Sequence, residues 1–453
     1  MKQRRSRRRI LLLSFFVPLF ALLCLFVQRG IFPFGEESFL RTDLYHQYAP
    51  FFSEFQYKLQ HGGSLLYSWD IGLGVNFTAI YAYYLASPLN WFVVLFPKRY
   101  VIEFVTLLIV VKTALSSVSM TYYLLRHSSR DGLFAPIFGI LYAFSAYMAA
   151  YSWNVMWLDC IVLFPLILLG TEEMVRGESS MKYILCLGLS ILSNYYISIM
   201  ICLFLIFYAV FQAITAELGL AETGKAALRF AIASLIAAGL AAVVLLPEIF
   251  ALRLTASGEM NFPKTFESYF SIVDMMARQL PFVECEIGLD HWPNIYCGIF
   301  TLQLLLLYFS SREVPIKQRV GYALFLLFFF ASFSVNVLNY IWHGFHYPNS
   351  LPARQSFIFC FLVLYLSFQA LERFPRFSPR EIFLSFAAVV LFILFAEKLV
   401  TEEHFHFWVF YLAFLLAALY GLIFRSYATG QFARELYFCM LLILVTLEST
   451  LNL

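Results

Sequence analysis

The sequence predicts an all-α polytopic membrane protein, and three observations carry that reading. Of 453 residues, 61% are hydrophobic, 19% aromatic and only 13% charged. Soluble domains run at roughly 45–50% apolar and about 25% charged, and a water-facing fold cannot absorb the excess. About thirteen apolar segments recur along the chain, most near the ~20 residues that a helix needs to cross ~30 Å of hydrocarbon. Basic residues collect in alternate connections between those segments, the pattern that fixes orientation in a bilayer. The net charge of +3 is small, and no nucleic-acid partner is expected.

Residues 1–9 hold Lys2, Arg4, Arg5, Arg7, Arg8 and Arg9 and are expected in the cytoplasm. The apolar run Ile10–Val27 is long enough to span, and no small-x-small cleavage site follows it. Residues 10–28 therefore read as a retained signal anchor, the first transmembrane helix. Residues 29–100 form a large first extracytoplasmic loop containing amphipathic helices that lie in the interface. Within it Ser87–Phe96 is apolar but too short to cross, and reads as interfacial or re-entrant. Residues 101–248 hold helices at 101–125, 132–150, 156–171, 182–195, 196–215 and 226–248. A second extracytoplasmic loop covers 249–293. Residues 294–453 hold helices at 294–310, 320–338, 353–371, 382–399, 406–424 and 435–453, with an outer loop at 339–352.

With the N-terminus inside, Arg126/Arg130, Arg176/Lys182, Lys225/Arg229, Arg312/Lys317/Arg319, Arg373/Arg376/Arg380 and Arg425/Arg434 all fall on the cytoplasmic side. The long connections then lie outside, with tryptophans and tyrosines whose first reading is an aromatic belt. The eight cysteines form no CxxC pair and read as isolated buried thiols. Cys285 and Cys297, in or beside one outer loop, are the pair that could form a disulfide.

The chemistry-bearing residues lie on that outer side. Arg41–Phe52 packs Asp43, Tyr45, His46, Gln47 and Tyr48 together, and helical spacing puts Asp43, His46 and Gln47 on one face. Such a stretch is either the wet face of an interfacial helix or an acid set among substrate-binding groups. In Tyr67–Phe77, ending near Asn76, the glycines permit close backbone approach, but no P-loop lysine follows. Ser87 and Pro88 read as the cap and first position of a helix. Asp159, about one turn into its helix, is costly in lipid unless paired or facing water. It reads as a second acid of the outer cavity, or as a residue shallow enough to reach solvent. Lys112 sits mid-span, with Glu103 or Asp159 as candidate partners. Asn194 breaks two spans, as a turn or as part of the cavity. In Asn339–Phe357, Arg354 can hold a phosphate through paired N–H donors, with His343 and His346 in support. Two histidines without a third ligand are poor evidence for a metal.

Together these stretches resemble the YfhO family of bacterial membrane proteins. The matching pieces are TDLYHQYAPFF (42–52), YSWDIGLGVNF (67–77), YYLASPLNW (83–91), NVMWLDCIVLFPLILLG (154–170), LSNYYISIMIC (192–202), NIYCGIF (294–300) and IWHGFHYPNSLPARQSF (341–357). The resemblance implies a GT-C-like glycosyltransferase linked to teichoic acid glycosylation, acting outside the bacterial plasma membrane. The donor it implies is a polyprenyl-phosphate-linked sugar, and the acceptor a cell-wall polymer. In that class an acid in the first outer loop is the usual catalytic carboxylate, which maps by position onto Asp43. On this reading Asp43 and Asp159 are catalytic. His46, Gln47, Tyr48, Asn76, Asn194, His343, His346 and Arg354 bind substrate, and a divalent cation held by Asp43 and Asp159 stays open. Family members are expected to continue beyond the position of Leu453, so the chain reads as a C-terminally short member. Two rival readings are a lipid or polymer transporter or flippase, for which no inverted repeat is visible, and a non-catalytic membrane scaffold.

Overall fold

The computed structural model describes residues 2–255, 262–348, 350–400 and 405–453. Positions 256–261 and Asn349, expected in the second and third outer loops, therefore lie outside the described residues. Among the described residues seven helices are long and apolar enough to cross a membrane. They are Arg7–Arg29, Lys98–His127, Tyr195–Thr215, Leu220–Leu240, Ile316–Ser334, Pro379–Leu399 and Phe407–Ala428. Every segment expected to span falls on helix, although several of the others are shorter, such as Met181–Ser193 and Phe300–Ser310.

The helices show which side meets lipid. On α10 (Leu220–Leu240), Leu228, Leu235 and Leu240 are exposed, and on α17 (Pro379–Leu399) so are Phe383, Leu391 and Phe395. Large exposed apolar faces of this kind are unfavourable in water and neutral against acyl chains. The centre is occupied by α16 (Ser356–Glu372), buried along its whole length apart from Tyr365. It packs on α5 (Ala135–Ala143), α13 (Phe300–Ser310) and α14 (Ile316–Ser334). A second group joins α4 (Val101–His127) to α1 (Lys2–Arg29), α5 and α7 (Leu158–Val175), and α7 to α8 (Met181–Ser193) and α9 (Tyr195–Thr215).

Three segments that read as continuous spans are broken, two of them where a backbone N–H turns to a carbonyl far along the chain. The segment 132–150 divides into α5 and α6 (Ala146–Tyr151) at extended Ser145, where the Ala146 N–H donates to the Tyr296 carbonyl at 2.8 Å. The segment 320–338 divides into α14 and α15 (Asn336–Trp342), where the Asn336 N–H donates to the Glu267 carbonyl at 3.1 Å. The segment 226–248 divides at Ala241 into α10 and α11 (Ala242–Leu252), and the Val244 and Leu245 N–H groups return to the Ala241 carbonyl. The eight cysteines are all free thiols.

The stretch 29–100, expected to be the first outer loop, is a packed body. It runs through α2 (Ala49–His61), a hairpin of β1 (Tyr67–Ser68) and β2 (Val75–Asn76), α3 (Phe77–Ile80) and a 3-10 helix at Pro88–Leu95. Phe52 and Phe55 on α2 are fully buried in the main core. Gln56 ties α2 to the 3-10 helix by donating to the carbonyls of Val93 (2.8 Å) and Phe96 (2.7 Å). At the chain's far end, α18 (Phe407–Ala428) and α19 (Arg434–Leu451) meet at Glu448. Its carboxylate accepts the hydroxyls of Tyr296 and Tyr420 and the Ile299 N–H at 3.0 Å.

Candidate functional site

Two turns of helix in the stretch 29–100 are wound wide, with the i→i+5 spacing of a π-turn: Leu44–Tyr48 and Tyr81–Leu85. They face one another. The Tyr84 hydroxyl donates to Gln47 Oε1 at 2.8 Å, and the two tyrosine rings Tyr48 and Tyr84 stand 5.3 Å apart. Gln47 Nε2 in turn donates to Asp43 Oδ1 at 3.3 Å. Asp43 is half-buried at the positive end of the helical run, directly after Thr42, whose φ is +43°. A left-handed conformation at a β-branched residue is strained by about 1–3 kcal/mol, and such strain gathers at functional sites. His46, expected on one face with Asp43 and Gln47, is exposed. It lines a separate groove of about 520 Å³ with Tyr45, Lys98 and Arg99.

Arg354 is placed by a second strained stretch, with φ of +57° at Leu351 and +49° at Ala353. Its Nε and Nη2 donate to the carbonyls of Leu351 and Ser350, both at 3.0 Å. The guanidinium lies 5.2 Å from the Trp157 ring and 5.1 Å from the Tyr196 ring. Among the described residues no carboxylate pairs with it, and its charge is held by rings and carbonyls.

Buried phenols connect the two charged groups. The Tyr48 hydroxyl donates to Asn154 Oδ1 at 2.7 Å, and its ring stacks on Trp153 at 6.1 Å. Burial raises the Tyr48 phenol well above its ordinary range, Tyr83, Tyr84 and Asp43 add to the rise, and Arg354 opposes it. Burial also raises Tyr83, where Arg354 pulls down and Asp43 pushes up. Both phenols therefore stay protonated and both feel the same acid and the same cation. His343 is fully buried, and burial first and then the Arg354 guanidinium push it down to about 3. Its Nδ1 lies 2.7 Å from the Asn339 carbonyl, which can only accept, so Nδ1 carries the proton. Nε2 is left as a bare acceptor, buried and without a partner among the described residues. His346 is half-buried with its ring 5.8 Å from Tyr196.

The remaining candidates are occupied. Asp159 forms a buried ion pair with Lys112 at 2.6 Å and accepts the Ser87 hydroxyl at 2.9 Å. Lys112 also donates to the Val155 carbonyl at 3.1 Å. Asn194 caps α9 through the Ile197 N–H at 2.9 Å and donates to the Tyr83 carbonyl at 3.1 Å, which fastens the second π-turn to α9. Asn76, exposed, caps α3 through the Thr78 N–H at 3.1 Å. No group of three or more His, Cys, Asp or Glu side chains among the described residues is placed to hold a metal ion. With Asp159 neutralised by Lys112, the acids at 43 and 159 do not fit a shared divalent cation, and no step is derived through one.

Sequence reasoning assigned Tyr83, Tyr84 and Trp157 to the aromatic belt and passed over Glu248. Only the density of tyrosine in Tyr81–Tyr84, with no apolar periodicity, hinted at a buried phenolic cluster. These features define a many-helix membrane protein in which Asp43 and a buried cation, Arg354, reach one set of tyrosines. The chain belongs to the family described as bacterial membrane protein YfhO, whose model matches residues 14–453. Comparison with curated proteins and with solved structures gave no match.

Proposed function

We propose that this membrane protein is a GT-C-like inverting glycosyltransferase that moves a sugar from a polyprenyl-phosphate carrier to a cell-wall polymer such as teichoic acid. On this reading the chain crosses the bacterial plasma membrane about thirteen times, with its N-terminus in the cytoplasm and its active face outside. The observation that carries the reading is one run of contacts between Asp43 and Arg354: Gln47 joins Asp43 to Tyr84, Tyr84 stands 4.7 Å from Tyr83, Tyr83 6.2 Å from Tyr196, and Tyr196 5.1 Å from the guanidinium. An acid and an anion-binding cation around one aromatic hollow suit the transfer of a sugar from a phosphate. Family membership and the outer-loop position of Asp43 support the same assignment.

In the proposed reaction an acceptor hydroxyl attacks the anomeric carbon and inverts it. The hydroxyl proton passes to Asp43 as the new C–O bond forms. The bond to the phosphate oxygen breaks with its electron pair, and Arg354 meets the departing charge. Phosphate leaves readily, so no strong general acid is needed, unlike the paired carboxylates of hydrolases. Gln47, itself held by Tyr84, fixes the Asp43 carboxylate. His343, a neutral acceptor at Nε2, receives a hydroxyl and does not donate to phosphate. A positioned general base contributes about 10²- to 10⁴-fold in rate. Asp43→Asn, assayed in membranes with labelled polyprenyl-phosphate sugar, is expected to lose that much transfer with its melting temperature unchanged. Undiminished transfer would remove Asp43 from the mechanism.

A further inference from the structure

Glu248 on α11 is only 4% exposed, beside Pro247 within its helix. Its Oε1 accepts the Tyr195 hydroxyl at 2.7 Å. Its Oε2 is buried and has no partner among the described residues. Buried carboxylate oxygens are nearly always satisfied, so this one is an open acceptor waiting for a donor. The Tyr195 ring stands 5.9 Å from Tyr83, and Tyr83 stands 4.7 Å from Tyr84. Tyr84 holds Gln47, which holds Asp43. Glu248 therefore closes one end of the tyrosine cluster whose other end carries the proposed base.

The chemistry of this end is that of a carbohydrate subsite. Aromatic faces take the apolar C–H face of a sugar ring, and a carboxylate takes its hydroxyls. A phosphodiester oxygen has no proton to offer Oε2, whereas a sugar hydroxyl does. We propose that Glu248 is a positioning residue that accepts a ring hydroxyl of the transferred sugar, its rotamer fixed by Tyr195. This rests on the glycosyltransferase reading above. A hydroxyl of the polymer acceptor has the same chemistry, so the test separates the two sources.

The test uses the full chain in lipid nanodiscs and follows thermal unfolding against three probes. They are polyprenyl phosphate, a set of polyprenyl-phosphate hexoses, and a glycerol-phosphate oligomer. Wild type is expected to bind one hexose lipid more tightly than the bare lipid phosphate. Glu248→Gln keeps an acceptor for Tyr195 and should lose at least about tenfold in affinity for that hexose lipid, with bare-lipid affinity unchanged. Tyr195→Phe should lose less. A loss confined to the glycerol-phosphate oligomer would overturn the donor assignment. Equal affinities for Glu248→Gln and wild type would overturn the role of Glu248 alone. A wild type that gains nothing from any sugar would overturn it together with the glycosyltransferase reading.

Discussion

Lys112 is 1% exposed in the middle of a membrane helix, and what keeps its ammonium there is the carboxylate of Asp159. Removing one member of such a pair strands a charge and costs about 3–5 kcal/mol, whereas replacing both with apolar groups is close to neutral. Lys112→Ala should therefore unfold far more easily in detergent than the Lys112→Met/Asp159→Leu double variant. The double variant also decides the role of Asp159: retained transfer makes it a structural partner, and lost transfer at normal stability makes it part of the chemistry. His343 gives a pH prediction. A free imidazole titrates near ~6.5, and this one is held down to about 3. Between those values the unfolded chain takes up a proton that the native site refuses. The contribution of His343 is thus complete above about pH 6.5 and is lost progressively on acidification towards 3. His343→Gln should flatten the fall of melting temperature with pH in that window. His346 and His291, lowered chiefly by burial, will keep part of the slope.

The helices were legible in the sequence because apolar runs of spanning length can do little else. Their breaks were not, since Ser145 and Val335 sit in apolar text and are opened by partners far along the chain, the Tyr296 and Glu267 carbonyls. The same limit governed the site. Asp43, Arg354, Tyr48 and His343 stood out as polar residues in apolar surroundings, but what each touches depends on two π-turns that no periodicity announces. His46 shows the effect: its sequence position says nothing of the groove it lines with Lys98 and Arg99. Tyr83 and Trp157 were hidden because an aromatic belt and a buried aromatic cluster have the same composition. At this scale α19 offers a test. Glu448→Ala leaves the hydroxyls of Tyr296 and Tyr420 and the Ile299 N–H without their acceptor. Each stranded group costs about 1–3 kcal/mol. Thermal unfolding should place Glu448→Ala well below wild type, with Glu448→Gln between them.

For the whole molecule, orientation is the statement on which all the outer-side chemistry depends. Leu73 is 98% exposed at the hairpin tip, and Leu220 is 93% exposed at the start of α10. In a cysteine-free background, Leu73→Cys should react with an impermeant maleimide on intact cells, and Leu220→Cys only after permeabilisation. The reverse result would invert the molecule and end the proposed reaction at the outer surface. The buried pair at 112 and 159 has a further consequence, for biogenesis. Its two members are 47 residues apart in the chain. At synthesis rates of about 5–20 residues per second, the lysine waits on the order of several seconds for its counter-ion to emerge from the ribosome. Releasing its helix into lipid alone during that interval costs roughly 2.5–3.5 kcal/mol on insertion scales. The favoured course is for α4 to stay beside the translocon until α7 arrives, so that the two leave it as one unit, well before the central α16 is made.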